Sequence, residues 1–230
     1  MEEHPHHADQ WEARAAAGVL RAQQGFGITS PKGARQFLAR LPQLLEAHRE
    51  RLPERVRRVL LAFWEEACDL DRKMGQIEKE LEGIAREHPL IRTLLEIPGI
   101  GAITATALFA SVGNIHLFKS GRHLASWLGI TPKEYSSGST RRMGRISKKG
   151  DPFLRTLLIH GARSALTAAQ VRQRTGKPLT RTQQWAVEKA GALRHSNQAA
   201  VALANKLARI CWAVWKHERQ YDGNYLAQAA

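Results

Sequence analysis

A heptad pattern of apolar residues places the strongest constraint on this chain, because it requires one long α-helix over residues 56–84. The apolar positions alternate in steps of four and three residues: Val56, Leu60, Phe63, Ala67, Leu70, Met74, Ile77, Leu81 and Ile84. This spacing keeps the apolar side chains on one seam of a helix. We predict that the helix begins at Pro53 and ends at His88, because the residue before a proline avoids the α-helical region.

Two arrangements would bury this seam. A strict repeat of this length favours a coiled coil over an amphipathic helix that packs on its own domain. With a coiled coil we expect a homo-oligomer, although pairing with the preceding helix would use the same seam. We place a domain boundary after residue 88, so that residues 1–88 form a helical and coiled-coil linker region.

The rest of the sequence also favours helices, because helix-forming residues dominate and strand patterns are scarce. We therefore predict an all-α fold, in which the N-terminal helices and the coiled-coil segment precede a second helical domain over residues 89–225. This domain is expected to contain a helix-hairpin-helix turn and an irregular basic loop. Further helices are expected over residues 11–24, 31–50, 91–96, 102–112, 121–128, 151–169, 183–193 and 196–219, with a loop over 131–145 and a loose stretch over 172–182.

The charge balance indicates the kind of partner. The chain has 35 Lys and Arg against 21 Asp and Glu, a formal net charge of +14. Such a field favours polyanions, with nucleic acid as the first candidate and an anionic membrane surface as the second. No apolar run approaches the ~20 residues that span a bilayer, so we expect no membrane insertion.

Cysteine and histidine usage predicts no metal or cofactor in this chain. Cys68 and Cys211 lie far apart and lack zinc-ligand spacing, which is typical of a reduced intracellular protein. His4, His6 and His7 form a cluster that we interpret as a solvated terminus.

The run Pro98-Gly99-Ile100-Gly101 predicts a phosphate-binding turn between two helices. Pro98 would end the first helix, and the two glycines permit backbone angles that other residues avoid. The first amides of the next helix would then point outward, where the positive end of the helix favours a phosphate oxygen. Such a contact reads the nucleic-acid backbone, although the same sequence also fits a plain helical hairpin.

A basic segment follows the turn. Residues 119–163 contain ten basic residues and only two acidic ones, Glu134 and Asp151. Glycines interrupt the charges, which favours a loop moulded to a polyanion over a solvated helix face. The basic residues are Lys119, Arg122, Lys133, Arg141, Arg142, Arg145, Lys148, Lys149, Arg155 and Arg163.

The serines at residues 136–139 lie within this segment. Ser and Gly are turn residues, so a plain turn is one interpretation. The other is a nucleophile: a serine hydroxyl needs activation, and arginines directed at a phosphate would stabilise its transition state. Tyr135 is a competing nucleophile, with Arg141, Arg142, Arg155 and His160 as its supporting set.

From residue 97 to residue 165 the chain resembles the C-terminal domain of the IS110/IS1111 insertion-sequence transposases, relatives of the Piv/MooV DNA invertases. The resemblance depends on motifs that occur in order: Ile97-Pro98-Gly99-Ile100-Gly101, Phe118-Lys119-Ser120-Gly121-Arg122, Trp127-Leu128-Gly129-Ile130-Thr131-Pro132, Ser136-Ser137-Gly138, Arg145-Ile146-Ser147-Lys148-Lys149-Gly150 and Leu154-Arg155. Residues 201–209 add a C-terminal motif.

The resemblance implies DNA strand exchange through a covalent serine–DNA link, guided by a structured RNA. The family's serine precedes the glycine of its motif and therefore maps to Ser137, with Ser136 as the second choice. It also implies an N-terminal RuvC-like domain with four metal-binding acids, to which we assign any Mg²⁺, and a coiled-coil linker. The implied location is the bacterial cytoplasm, with nucleoid association when bound.

The first 88 residues show no strand–helix alternation of a RuvC-like domain. We therefore expect a truncated member or one half of a split protein, which binds DNA without turnover when alone. The alternative function is a non-catalytic helix-hairpin-helix protein whose serine loop only binds phosphate.

Overall fold

The computed structural model describes residues 34–135, 142–193 and 195–225, and these residues are mainly α-helical. The predicted all-α class is confirmed. The chain divides into two compact units, Met1–Lys79 and Glu80–Ala230, and the division falls within the second helix. The predicted boundary after residue 88 stays a prediction.

The first unit is built on a pair of helices. Helix α1 covers Ala34–Ala47, and helix α2 covers Glu54–Glu87 and continues into the second unit. Leu41 and Leu45 of α1 are buried with Leu52 and Leu60, because both helices direct their apolar faces at each other. The Trp64 indole Nε1 donates a hydrogen bond of 2.8 Å to the carbonyl oxygen of Leu38. Thus α1 covers the first part of the heptad seam.

The later part of the seam is open. The exposed fractions of Phe63, Met74 and Ile77 are 43%, 38% and 56%. The long helix was predicted almost to the residue, but its pairing as a coiled coil stays a prediction.

The second unit contains six further α-helices within the described residues. Short helices α3 and α4 cover Pro89–Leu95 and Ala102–Val112, and a 3-10 turn at Ile115–Leu117 leads to α5 at Gly121–Trp127. Helices α6, α7 and α8 cover Pro152–Arg174, Arg181–Ala192 and Ser196–Lys216.

Helices α6 and α8 form the centre of this unit. Leu154, Leu158 and Ala162 repeat every four residues on the buried face of α6. The buried face of α8 includes Leu203, Ala204, Leu207 and Ala208, and its small residues allow neighbouring helices to approach closely. The opposite face of α8 remains accessible for a ligand.

The N-terminus of α7 is completed by residues from the far end of the described chain. The amides of Arg181 and Thr182 donate hydrogen bonds of 3.1 Å each to Asn224 Oδ1 and to the Gly223 carbonyl oxygen. The next amide donates to Thr180 Oγ1 at 3.3 Å within a capping box. The segment after α8 is therefore tied to α7.

One expectation for a loop was wrong, and another loop is shorter than expected. Strands β1 (Pro132–Glu134) and β2 (Met143–Ile146) form an antiparallel pair where a loop over 131–145 was expected. The strands are only 3 and 4 residues long, so local residue preferences did not reveal them. Helix α6 also extends to Arg174 into the expected loose stretch, since basic residues in its last turn suit the negative end of the helix.

Candidate nucleic-acid interface

The turn between α3 and α4 leaves the first three backbone amides of α4 open. Gly101 is the N-cap of α4 and brings no side chain. The amides of Ala102, Ile103 and Thr104 meet no acceptor among the described residues. Gly101 is exposed, and a Cβ there would meet nothing within 4 Å. Open amides at the positive end of a helix attract anions. A phosphate oxygen therefore has both space and donors at this turn.

The other residues of the turn hold it in place. Ile97 and Ile100 are buried in the core, while Pro98 is exposed. Gly99 has a φ of +93°, and a Cβ there would lie 2.6 Å from the carbonyl oxygen of Gly161 in α6. The missing side chain of Gly99 thus makes room for α6, and Gly101 supplies the open side of the turn.

Two predicted cations lie at the start of α5. Lys119 and Arg122 are exposed and flank Ser120, whose Oγ accepts a hydrogen bond of 3.2 Å from the His123 amide. Because Ser120 caps the helix, both basic side chains are presented from an ordered N-terminus.

The basic loop after β2 is also held by defined contacts. The Lys148 amide donates to the Gly129 carbonyl oxygen at 3.0 Å, and Arg155 donates to the carbonyl oxygens of Lys148 and Gly150 at 3.4 and 3.2 Å. Lys148 and Lys149 are exposed, and their side chains make no hydrogen bond to another described residue. Arg155 therefore positions the loop, while the two lysines face solvent.

The serine loop itself lies outside the described residues, and so do Ser136, Ser137 and Arg141. Its two ends are described: the amide of Tyr135 donates to the carbonyl oxygen of Arg142 at 2.8 Å and closes the strand pair. Tyr135 is 63% exposed.

A groove of about 1840 Å³ runs along the accessible face of α8 and gathers part of the predicted set. Arg122, Arg145 and Lys148 line it, whereas residues 98–101 of the turn do not. The groove also contains basic residues that the sequence analysis missed: Arg181, Lys206, Arg209 and Arg219. The spacing of Lys206 and Arg209 on one face of a helix was the available signal.

The groove's charges are close enough to affect one another. Burial lowers the pKa of the Lys206 ammonium, and the guanidinium groups of Arg209 and Arg181 lower it further. The Lys206 Nζ lies 4.2 Å from the centre of the Trp185 ring, which holds the cation in place.

Residues 91–176 match the transposase IS116/IS110/IS902 family. Over this segment the chain is similar to that family. The match includes the α3–α4 turn, α5, both strands and α6, whereas the groove cations Arg181, Lys206, Arg209 and Arg219 lie beyond it.

Individual relatives agree with this assignment. The chain is 37% identical to the transposase for insertion sequence element IS1111A of Coxiella burnetii over 201 residues, which are 86% of this chain and 52% of the relative. It is also 37% identical to a probable family 20 transposase of Pseudomonas aeruginosa, over 84% of this chain and 55% of that protein. The pilin gene-inverting protein of Moraxella bovis is 31% identical over 56% of this chain and 38% of its own length. The chain spans about half the length of the first two relatives.

Neither a cluster of metal ligands nor a membrane-spanning helix occurs among the described residues. Over residues 34–135, 142–193 and 195–225, no three His, Cys, Asp or Glu side chains are grouped as a metal site. Over the same ranges no helix has the length and apolar character that a membrane span requires.

Proposed function

We propose that this chain is the DNA-binding and serine-bearing part of an insertion-sequence transposase. The observation that carries the proposal is that the family match over residues 91–176 contains the turn, the strand pair and the basic loop together. The relatives named as transposases and as a gene-inverting protein support DNA as the substrate.

DNA binding is proposed to use two separate surfaces. The open amides in the first turn of α4 would bind one phosphate, and the exposed cations Lys119, Lys148 and Lys149 would neutralise others. These contacts address the DNA backbone, so we expect little sequence preference and a steep dependence on salt.

The proposed chemistry begins with Ser137, with Ser136 and then Tyr135 as the next candidates. The serine Oγ attacks a phosphorus of the DNA backbone, an O–P bond forms, and the bond from phosphorus to a deoxyribose oxygen breaks. The serine proton passes to solvent, and the released oxygen takes up a proton. Arg141, Arg142 and Arg145 would stabilise the charge on the phosphate oxygens in the transition state. The closed strand pair keeps the ends of the serine loop together.

The family resemblance adds two partners to this proposal, a RuvC-like domain with its metal-binding acids and a structured guide RNA. The heptad seam of α2 adds a third, a second copy of the chain. The described residues do not fit a Mg²⁺ site, because they contain no suitable group of acids. We therefore assign no step of the serine chemistry to a metal held by the described residues.

The test is a covalent protein–DNA adduct. A RuvC-like domain from a family member is supplied as a fusion or as a separate protein, and denaturing gels detect DNA that remains attached to the chain. We expect an adduct with the wild type and none with Ser137→Ala, while Ser136→Ala has a milder effect. DNA binding should be nearly unchanged in both variants, since one hydroxyl contributes little beside many charged contacts.

The results separate the candidate functions. Normal adduct formation by Ser137→Ala would move the nucleophile to Ser136 or Tyr135. DNA binding with no adduct in any of these proteins would favour the non-catalytic function. The chain without the added domain is expected to bind DNA and not to turn over.

A further inference from the structure

The groove along α8 combines a basic surface with an aromatic surface, and the two rarely occur together on a plain solvated face. Its floor is the accessible side of α8, which runs for ~30 Å at 1.5 Å per residue. One wall holds α5 and the strand pair, where the Asn205 side chain donates to the Ile130 carbonyl oxygen at 3.2 Å. The other wall holds α7 and the segment after α8, with Trp185 against Lys206.

The groove is strongly and unevenly charged. Among its lining residues seven are basic and only Asp222 is acidic. No ion pair among the described residues neutralises any of the seven, which are Arg122, Arg145, Lys148, Arg181, Lys206, Arg209 and Arg219. Cations that are held near one another without counter-charges indicate a polyanionic ligand.

Aromatic side chains share the same groove. Trp185 lies under Lys206, and the Arg219 guanidinium carbon lies 4.4 Å from the centre of the Tyr225 ring. Trp212 lines the wall next to α5, with its Nε1 bound to the Phe118 carbonyl oxygen at 3.0 Å. These contacts fix the aromatic groups and the cations in one place before any ligand binds.

We propose that this groove binds a single strand of DNA. A duplex presents phosphates outward and keeps its bases stacked inside, so the aromatic and apolar parts of the groove would find no partner on it. A single strand offers phosphates to the cations and base faces to the aromatic rings. The choice of DNA over RNA rests on the proposed function; the choice of a single strand rests on the groove.

The test measures binding of a fluorescent DNA of about ten nucleotides to the full chain as salt is varied. The double variant Lys206→Gln/Arg209→Gln should weaken binding, and the slope of log K against log salt should fall by about 0.7 for each lost phosphate contact. The matched control Arg174→Gln/Lys177→Gln removes the same charge from exposed positions outside the groove and should leave the slope unchanged.

A second variant tests stacking without a change of charge. Trp185→Leu should weaken binding of the single strand by about tenfold and leave the slope of log K against log salt unchanged. The same variant should bind a duplex within twofold of the wild type. Thermal unfolding followed by circular dichroism identifies any variant that fails to fold, in which case the exposed Arg209→Gln alone provides the charge test.

Each other outcome overturns a defined part of the proposal. Equal losses in the groove variant and its control would mean that the groove is not the site. Equal losses for single strand and duplex would assign a duplex to the groove. RNA of the same sequence that binds tenfold tighter than DNA would overturn the choice of DNA. Failure of the proposed function is a separate result, in which the wild type does not bind duplex DNA although the groove still binds a single strand.

Discussion

Gly99 and Gly161 lie in backbone contact, and neither position has room for a Cβ. A Cβ at Gly161 would collide with the Gly99 carbonyl oxygen, which cannot move without shifting the turn. Alanine in a helix interior would by itself gain about 1 kcal/mol over glycine. Overpacking costs about 1–3 kcal/mol, so the collision should make the net effect of an alanine at this position destabilising.

We therefore predict that Gly161→Ala lowers the free energy of unfolding by up to about 2 kcal/mol. Chemical denaturation of the full chain measures this change. Gly191→Ala is the matched control, because a Cβ at that helical glycine would meet nothing within 4 Å. A Gly161→Ala protein as stable as the control would show that α6 and the turn are not in contact.

A substitution at Gly101 should weaken DNA binding without lowering the stability of the fold. The φ of Gly101 is −90°, so another residue fits the backbone, and its side chain would point into open space near the free amides. Gly101→Val should weaken duplex binding several-fold and leave the unfolding temperature nearly unchanged. Anisotropy titrations and thermal melts measure the two effects; a variant that binds like the wild type would remove the turn from the interface.

The exposed seam of α2 is predicted to pair two copies of the chain. Leu70→Asp and Ile77→Asp would bring charges into the apolar contact and should convert an oligomer to a monomer. Sedimentation equilibrium measures the mass, with Glu66→Asp as a control on the exposed face. A wild type that is already a monomer at micromolar concentration would contradict the pairing.

The two cysteines should react very differently with a thiol reagent. Burial raises the pKa of the Cys211 thiol to about 12, whereas Cys68 is only partly buried. In a Cys68→Ser protein, labelling of Cys211 should therefore require global unfolding. The raised pKa of Cys211 also predicts a pH dependence of stability. Since this pKa is higher in the folded state than in the unfolded state, the unfolded state loses the thiol proton first, and stability should fall as pH rises above about 9. Fast labelling of this variant at neutral pH would show that Cys211 is accessible.

The sequence predicted those elements whose limits are set by local chemistry. Helix α4 was expected over residues 102–112 and has these bounds, because glycines stand at both of its ends. The strand pair was missed, since its two short strands are held mainly by each other, across six residues that the structure does not describe. The groove was missed in part because its cations come from α5, α7, α8 and the segment after α8, which are distant in sequence.

The capping of α7 also has a consequence for synthesis. Its first amide bonds to Asn224, which lies 43 residues later, and the Tyr221 amide reaches Glu96 across 125 residues. A growing chain cannot make either contact until the segment after α8 has left the ribosome. The second unit would therefore complete its folding late, and a ribosome stalled before residue 221 would hold α7 with its capping box but without partners for its first two amides.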